Sequence, residues 1–180
     1  MKKILFLGLF LLLSSHFIFA QESLPTGYAK INLGMSLDSA KEALKNDPQF
    51  GYRGDRDVSL LPGDARILVE TDTSINAPYS FLDRCWFQFF EEKLYIITVN
   101  IKSDKVDYYS VFSTLCQKYG NPSSLNPEKA EWKNDSVIMT LERPLTLKYT
   151  DKKVFESLLD SSNVNKSVKE QNRDSFLGGL

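Results

Sequence analysis

Two runs rich in aromatic and β-branched residues, Leu82–Phe90 and residues 94–101, are separated only by Glu91, Glu92 and Lys93. Runs of this composition joined by so short a polar segment predict a β-hairpin. Because side chains alternate along a strand, the first run has two faces, one with Cys85, Phe87 and Phe89 and the other with Trp86, Gln88 and Phe90. The chain is therefore expected to contain an antiparallel sheet.

Two helices precede further strands along the chain. Ser36 is a good N-cap for a first helix with Leu37, Ala40 and Leu44 at helical spacing. Residues 104–119 predict a second helix, which Gly120 and Pro122 end. Its apolar face is expected to carry Val106, Tyr109, Phe112, Leu115, Cys116 and Tyr119. A strand is predicted before the hairpin at Arg66–Thr71, and three more follow the second helix at residues 130–133, 136–142 and 145–150.

This order predicts an α+β fold made of two loose repeats, residues 28–101 and 104–150, each a helix followed by antiparallel strands. The strand connections are short, and no repeated βαβ crossover is evident. One antiparallel sheet with the helices on one face follows from this pattern. The length of residues 21–160 fits a single domain.

Residues 1–20 have the layout of a secretory signal peptide: Lys2 and Lys3, an apolar run from 4 to 13, and Ala20 before the cut. The apolar run is shorter than the roughly 20 residues that span a bilayer, so we expect cleavage and no membrane span afterwards. The mature chain is expected to be periplasmic or secreted.

Cleavage also removes His16, the only histidine, and with it the commonest general base and metal ligand. Loss of Lys2 and Lys3 changes the formal net charge from −1 to −3, and the remaining basic residues are scattered. Nucleic acid is therefore not an expected partner. We predict no cofactor, no metal and no catalytic residues.

Two cysteines remain, Cys85 in the hairpin and Cys116 in the second helix, and export makes a disulfide between them chemically possible. Both thiols are expected to face a core, where unpaired cysteines are also common. A disulfide and two free thiols are both compatible with the sequence. A catalytic thiol is not expected, because no histidine is present to activate it.

The carboxylates offer the main alternative chemistry. Asp55, Asp57 and Asp64 share the loop 53–64, but Leu60 occupies the place where a calcium-binding loop counted from Asp55 needs glycine. A carboxylate-based hydrolase using this loop remains the enzymatic alternative to a non-enzyme. Adjacent Glu91 and Glu92 indicate a turn, because neighbours on a turn do not face each other across a substrate bond.

The binding alternative rests on aromatic side chains. Trp86 and Phe90 are expected on the sheet face without helices, where exposed aromatic residues mark protein interfaces unless a loop covers them. Trp132, in a later strand, has the same ambiguity. A short helix over 152–159 is predicted to precede a flexible C-terminal tail, 161–180, in which Phe176 and Leu177 either dock on a partner or belong to a frayed terminus.

Residues 31–41, Ile-Asn-Leu-Gly-Met-Ser-Leu-Asp-Ser-Ala-Lys, resemble the Gly-Met-Ser/Thr helix opening of a superfamily of small exported α+β domains. Residues 115–122, Leu-Cys-Gln-Lys-Tyr-Gly-Asn-Pro, resemble its L-x-x-K-Y-G-x-P helix ending. The superfamily includes the small lipoprotein of the outer-membrane protein assembly machine and the β-lactamase inhibitor proteins. The present chain lacks the lipid-bearing N-terminal cysteine of that lipoprotein.

The resemblance implies a protein-binding module without enzymatic activity, with a sheet face as the binding surface. Together with the residues above, it predicts a non-catalytic module of the cell envelope that binds another envelope protein. The alternatives are the carboxylate-based hydrolase and a structural subunit of an envelope assembly.

Overall fold

The computed structural model describes residues 23–54, 57–59 and 65–179. The first half contains β1 (Gly27–Tyr28), β2 (Ile31–Asn32), α1 (Leu37–Lys45), β3 (Asp57–Ser59), β4 (Arg66–Thr71), α2 (Thr73–Asn76), β5 (Leu82–Phe90) and β6 (Lys93–Ile101). The second half contains α3 (Tyr108–Tyr119), β7 (Ser124–Leu125), β8 (Lys129–Lys133), β9 (Val137–Glu142), β10 (Thr146–Asp151) and α4 (Lys152–Gly178). A 3-10 turn, Pro48–Phe50, follows α1.

Among the described residues, eight strands form one antiparallel sheet in the order β3-β4-β5-β6-β10-β9-β8-β7. Each half contributes a helix and a four-stranded meander, and the last strands of the two halves, β6 and β10, pair at the centre. β1 and β2 form a separate small hairpin. The α+β fold with two helix-plus-strand repeats in one antiparallel sheet is thus confirmed.

The central hairpin β5–β6 follows the predicted alternation. Cys85, Phe87 and Phe89 are completely buried, whereas Trp86 and Phe90 on the opposite face are half-buried. Glu91 and Glu92 form the turn, with φ values of 48° and 61°. Both residues therefore adopt the left-handed conformation that a tight hairpin turn requires.

One core lies between the sheet and the helices α1 and α3. It joins buried residues of both helices with inward-facing residues of strands from both halves. Burial drives this packing, because each helix has one apolar stripe that water would otherwise meet. Both helices contact the same face of the sheet, since the core side chains form one cluster.

The Gly-Met-Ser segment joins α1 to the sheet. Gly34 has φ of +83°, and its amide donates to the carbonyl of Leu94 at 2.7 Å. The amide of Leu94 donates in return to the carbonyl of Met35 at 2.9 Å. Ser36 then caps α1, as predicted, by accepting from the amide of Ser39. The segment thereby fixes where α1 begins over the start of β6.

Helix α3 begins at Tyr108 with Asp107 as its N-cap, later than the predicted start at residue 104. The later start is accompanied by a change in which tyrosine faces the protein. Tyr108 is half-buried and packs against the core, whereas Tyr109 is 73% exposed. The prediction that Tyr109 lies on the apolar face was therefore wrong.

The C-terminal segment differs most from expectation. Helix α4 runs from Lys152 to Gly178, so the prediction that this helix ends at residue 159 is wrong, whereas the flexibility of residues 161–180 stays a prediction. Residues 160–177 contain neither proline nor glycine, and nothing in that segment stops a helix. The sequence pattern misses it because a helix that is polar all round lacks apolar periodicity.

The proposed signal peptide, residues 1–20, lies outside the described residues. Within the part of the chain that the structure describes, no helix has both the length and the apolar character needed to cross a membrane.

Candidate functional site

Trp86 and Phe90 lie on the sheet face opposite the core, as predicted, but both are half-buried. Trp86 stands between Glu70 of β4 and Thr98 of β6 in the strand register. The ring of Phe90 meets the ring of Tyr95 edge-on, with 6.5 Å between centroids. This face is also not open to water at its centre, where Ile96 is 5% exposed.

A second aromatic surface is built where α3 crosses β8 and β9. Tyr108 and Phe112, one helical turn apart, stack with 6.4 Å between ring centroids. Phe112 in turn contacts Trp132 of β8 at 6.1 Å. Trp132 is only 2% exposed, which places it in the core and resolves its ambiguity in the sequence.

Tyr108 is anchored to the sheet by its hydroxyl, which donates to the carbonyl of Leu141 at 3.2 Å. Burial raises the pKa of this phenol, while the neighbouring Arg143 acts to lower it. The phenol is protonated at neutral pH and remains a donor. One face of the Tyr108 ring is thus fixed against the strand connection that carries Arg143.

Arg143 completes the surface. Its guanidinium carbon lies 4.3 Å from the centroid of the Tyr108 ring, and its Nε donates to the carbonyl of Pro127 at 2.9 Å. Its backbone amide donates to the carbonyl of Glu128, also at 2.9 Å. A cation over an aromatic face is attracted by the ring quadrupole, so the guanidinium is held in place.

These residues line a groove of about 440 Å³, which we call the Tyr108–Arg143 groove. Its lining consists of Asp107, Tyr108, Tyr109, Phe112, Leu125, Asn126 and Arg143. Tyr109 and Leu125 are 73% and 63% exposed, so the groove presents apolar surface to solvent. A hollow of about 540 Å³, lined by Pro127, Glu128, Lys129, Glu142 and Arg143, adjoins it through the shared arginine.

The sequence offered little sign of this groove. Its residues come from the start of α3, from the short strand β7 and from the β9–β10 connection. Arg143 lies in the connection between β9 and β10. The available signal was the adjacent pair Tyr108-Tyr109, of which α3 packs Tyr108 against the core and leaves Tyr109 exposed.

A third group of exposed apolar side chains lies before β5, with Ile75, Tyr79 and Phe81 at 87%, 65% and 58% exposure. Lys105 donates to the carbonyls of Pro78 and Tyr79 and lies 5.7 Å from the centroid of the Phe81 ring. The segment is thus held by contacts within the chain.

Phe176 and Leu177 lie near the end of α4 and are 68% and 49% exposed. Their side chains are accessible, and their role in docking stays a prediction.

The cysteines Cys85 and Cys116 are both free, so the possible disulfide is not formed. Cys85 lies in β5, whereas α3, which carries Cys116, contacts β8 and β9 through Phe112 and Tyr108. In the strand order β9 is three strands from β5, roughly 14 Å at ordinary strand spacing. A disulfide needs Cα atoms within roughly 7 Å.

The described residues provide no active site for the alternative function, a carboxylate-based hydrolase that uses the loop 53–64. Asp55 and Asp64 lie outside them, and Asp57 belongs to β3. Glu91 and Glu92 are exposed at the hairpin turn, as predicted. Within residues 23–54, 57–59 and 65–179, no group of three or more His, Cys, Asp or Glu side chains is arranged to hold a metal ion.

Residues 26–161 match the model of a protein family described as the TP0088 domain. The chain belongs to the TP0088 domain family. The matched segment contains both halves of the TP0088 domain sheet and the whole Tyr108–Arg143 groove, whereas Phe176 and Leu177 lie beyond it. No curated protein and no solved structure matches this TP0088 domain protein.

Proposed function

We propose that this protein is an exported, non-catalytic binding module that recognises another protein of the cell envelope. The observation that carries the proposal is the Tyr108–Arg143 groove, in which Tyr109 and Leu125 are exposed beside a fixed arginine. Tyrosine and arginine are enriched among the residues that dominate binding energy at protein interfaces.

The half-buried pair Trp86 and Phe90 is a second surface for the same function. It supports the proposal less strongly, because less of each aromatic side chain is available to a partner. Export rests on the signal-like residues 1–20. The resemblance to small exported binding domains agrees with this function and forms part of the proposal.

Affinity capture from the native envelope tests the proposal. The tagged full-length protein is compared with Tyr109→Ser, Trp86→Ala and the control Tyr79→Ser, which removes an exposed tyrosine from the other half of the chain. We expect wild type and Tyr79→Ser to recover the same envelope protein, and Tyr109→Ser to recover much less of it.

Melting temperatures of all four proteins show that each variant is folded. If Trp86→Ala is the one variant that fails to capture the partner, the binding surface is the sheet face that carries Trp86. Equal recovery by every variant, or no reproducible partner, would contradict a binding function at these aromatic surfaces.

A further inference from the structure

We propose that the Tyr108–Arg143 groove binds a peptide segment of a partner protein in which one carboxylate side chain adjoins a large apolar side chain. This inference rests on the proposed function and names the chemistry of its ligand. It follows from the charged group and the exposed apolar side chains that line the same groove.

The charge is that of Arg143. The described residues offer it no carboxylate partner, because their ion pairs join Arg84 to Glu70 and Asp72, and Lys129 and Lys133 to Glu131. Its Nε donates to the Pro127 carbonyl, so the two Nη atoms are the donors that remain for a ligand. A guanidinium fork fits a carboxylate through two parallel hydrogen bonds.

The position of this guanidinium is fixed before any ligand arrives. The Tyr108 ring lies 4.3 Å from it, and that ring is itself hydrogen bonded to Leu141. An exposed ion pair usually contributes little, because ordering two long side chains costs entropy. Part of that cost is already met within the fold here, since Arg143 is ordered by its own contacts.

The apolar part of the groove lining is formed by Tyr109, Leu125 and Phe112. Tyr109 and Leu125 leave most of their surface in water, so covering them with an apolar side chain is favourable. β7, which carries Leu125, is the outermost strand at its edge of the sheet. A peptide segment can therefore approach the groove from that edge.

Neighbouring acidic groups limit the ligand to one carboxylate. Asp107 lines the groove, although its two oxygens accept hydrogen bonds from the amide and hydroxyl of Ser110. Glu128 and Glu142 line the adjoining hollow. A phosphate group carries roughly twice the charge of a carboxylate and would meet one unpaired cation among three acidic residues. The surrounding negative charge therefore favours a ligand with a single carboxylate over one with a phosphate group.

Selection of random linear peptides displayed on phage, with the folded protein as bait, tests this inference. A selected peptide and its neutral analogue, with Glu changed to Gln or Asp to Asn, are then measured by fluorescence anisotropy. We expect selected peptides to pair one acidic with one aromatic or large aliphatic residue. Arg143→Gln should weaken binding at least about tenfold, because the charge-assisted hydrogen bonds to the carboxylate are lost.

The neutral analogue supplies the decisive comparison. For wild type, the neutral analogue should have about tenfold lower affinity than the acidic peptide. For Arg143→Gln, the two peptides should have equal affinities. Arg143→Lys should recover only part of the affinity, because an ammonium lacks the planar fork. Arg84→Gln removes an exposed arginine that is already paired and should leave affinity unchanged.

The inference is wrong if the selected peptides lack an acidic residue, or if no selected peptide depends on the groove for binding. It is also wrong if the neutral analogue loses the same affinity, relative to the acidic peptide, on wild type and on Arg143→Gln. Its failure is distinguishable from failure of the proposed function. If Arg143→Gln still captures the envelope partner while Tyr109→Ser loses it, the function stands and the carboxylate ligand is wrong. If both variants retain the partner, the binding function at this groove is itself wrong.

Discussion

The indole nitrogen of Trp132 donates a hydrogen bond of 2.8 Å to the carbonyl oxygen of Gly120, the residue that ends α3. This bond joins the end of the helix to strand β8. The same indole packs against Phe112, which lines the Tyr108–Arg143 groove. The buried Trp132 side chain therefore holds the C-terminal end of α3 against β8 and also packs against a residue that lines the groove.

Trp132→Phe should lower the free energy of unfolding by about 2–4 kcal/mol, since it leaves the Gly120 carbonyl unpaired and removes buried volume. Urea denaturation measures the change. Trp86→Phe is the matched control, because Trp86 is half-buried and should cost less than about 1 kcal/mol. Similar losses for the two variants would contradict the role assigned to the Gly120 bond.

Alkaline pH should destabilise the protein through Cys85. Burial raises the pKa of its thiol from 9.0 to about 12. The unfolded state therefore loses this proton first, and the free energy of unfolding falls as pH rises above 9.0 toward the folded value.

Urea titrations at about pH 8 and about pH 10.5 check this linkage. Cys85→Ala should show a shallower decrease in stability than wild type, and Cys116→Ala should keep the steep decrease because Cys85 is still present. A parallel decrease in wild type and Cys85→Ala would exclude the thiol as the cause.

The turn at Glu91 and Glu92 should be open to stabilisation. Both residues have positive φ, which disfavours side chains other than those of glycine and asparagine. The double variant Glu91→Asn, Glu92→Gly should raise the free energy of unfolding by about 1 kcal/mol. Glu91→Gln with Glu92→Gln removes the same charges but keeps the backbone penalty. An equal gain in this control would assign the effect to charge.

Removal of residues 176–180 should leave the melting temperature unchanged, because Phe176 and Leu177 are exposed. If these side chains dock on a partner, the truncated protein should capture less of it. A fall of several degrees in melting temperature would show that they pack on the domain, and the docking hypothesis would then be wrong.

Local patterns in the sequence predicted the elements that local interactions determine. The β5–β6 hairpin, the cap at Ser36 and the end of α3 at Gly120 follow from alternation and from residues with special backbone preferences. The sequence could not show that Tyr108, and not Tyr109, lies on the buried face of α3, because this depends on where α3 begins relative to the sheet.

The groove could not be predicted for a different reason. Tyr109, Leu125 and Arg143 belong to three segments that only the folded chain brings together. No periodicity links them, and Arg143 gains its position from contacts with Tyr108 and Pro127 that are not local in sequence. Long-range placement of this kind is decided by tertiary packing and strand order.

The boundary between β6 and β10, where the two halves of the sheet pair, has a consequence for how the chain can be divided. Across it, Thr146 contacts Asn100, 46 positions away in the sequence, whereas the strands inside each meander pair with near neighbours. A break between the exposed residues Ser103 and Asp104 would leave two fragments, one with an unpaired β6 edge and the other with the β10 edge that pairs with it. The two pieces should reassociate without a covalent link, which makes the protein a natural scaffold for fragment complementation.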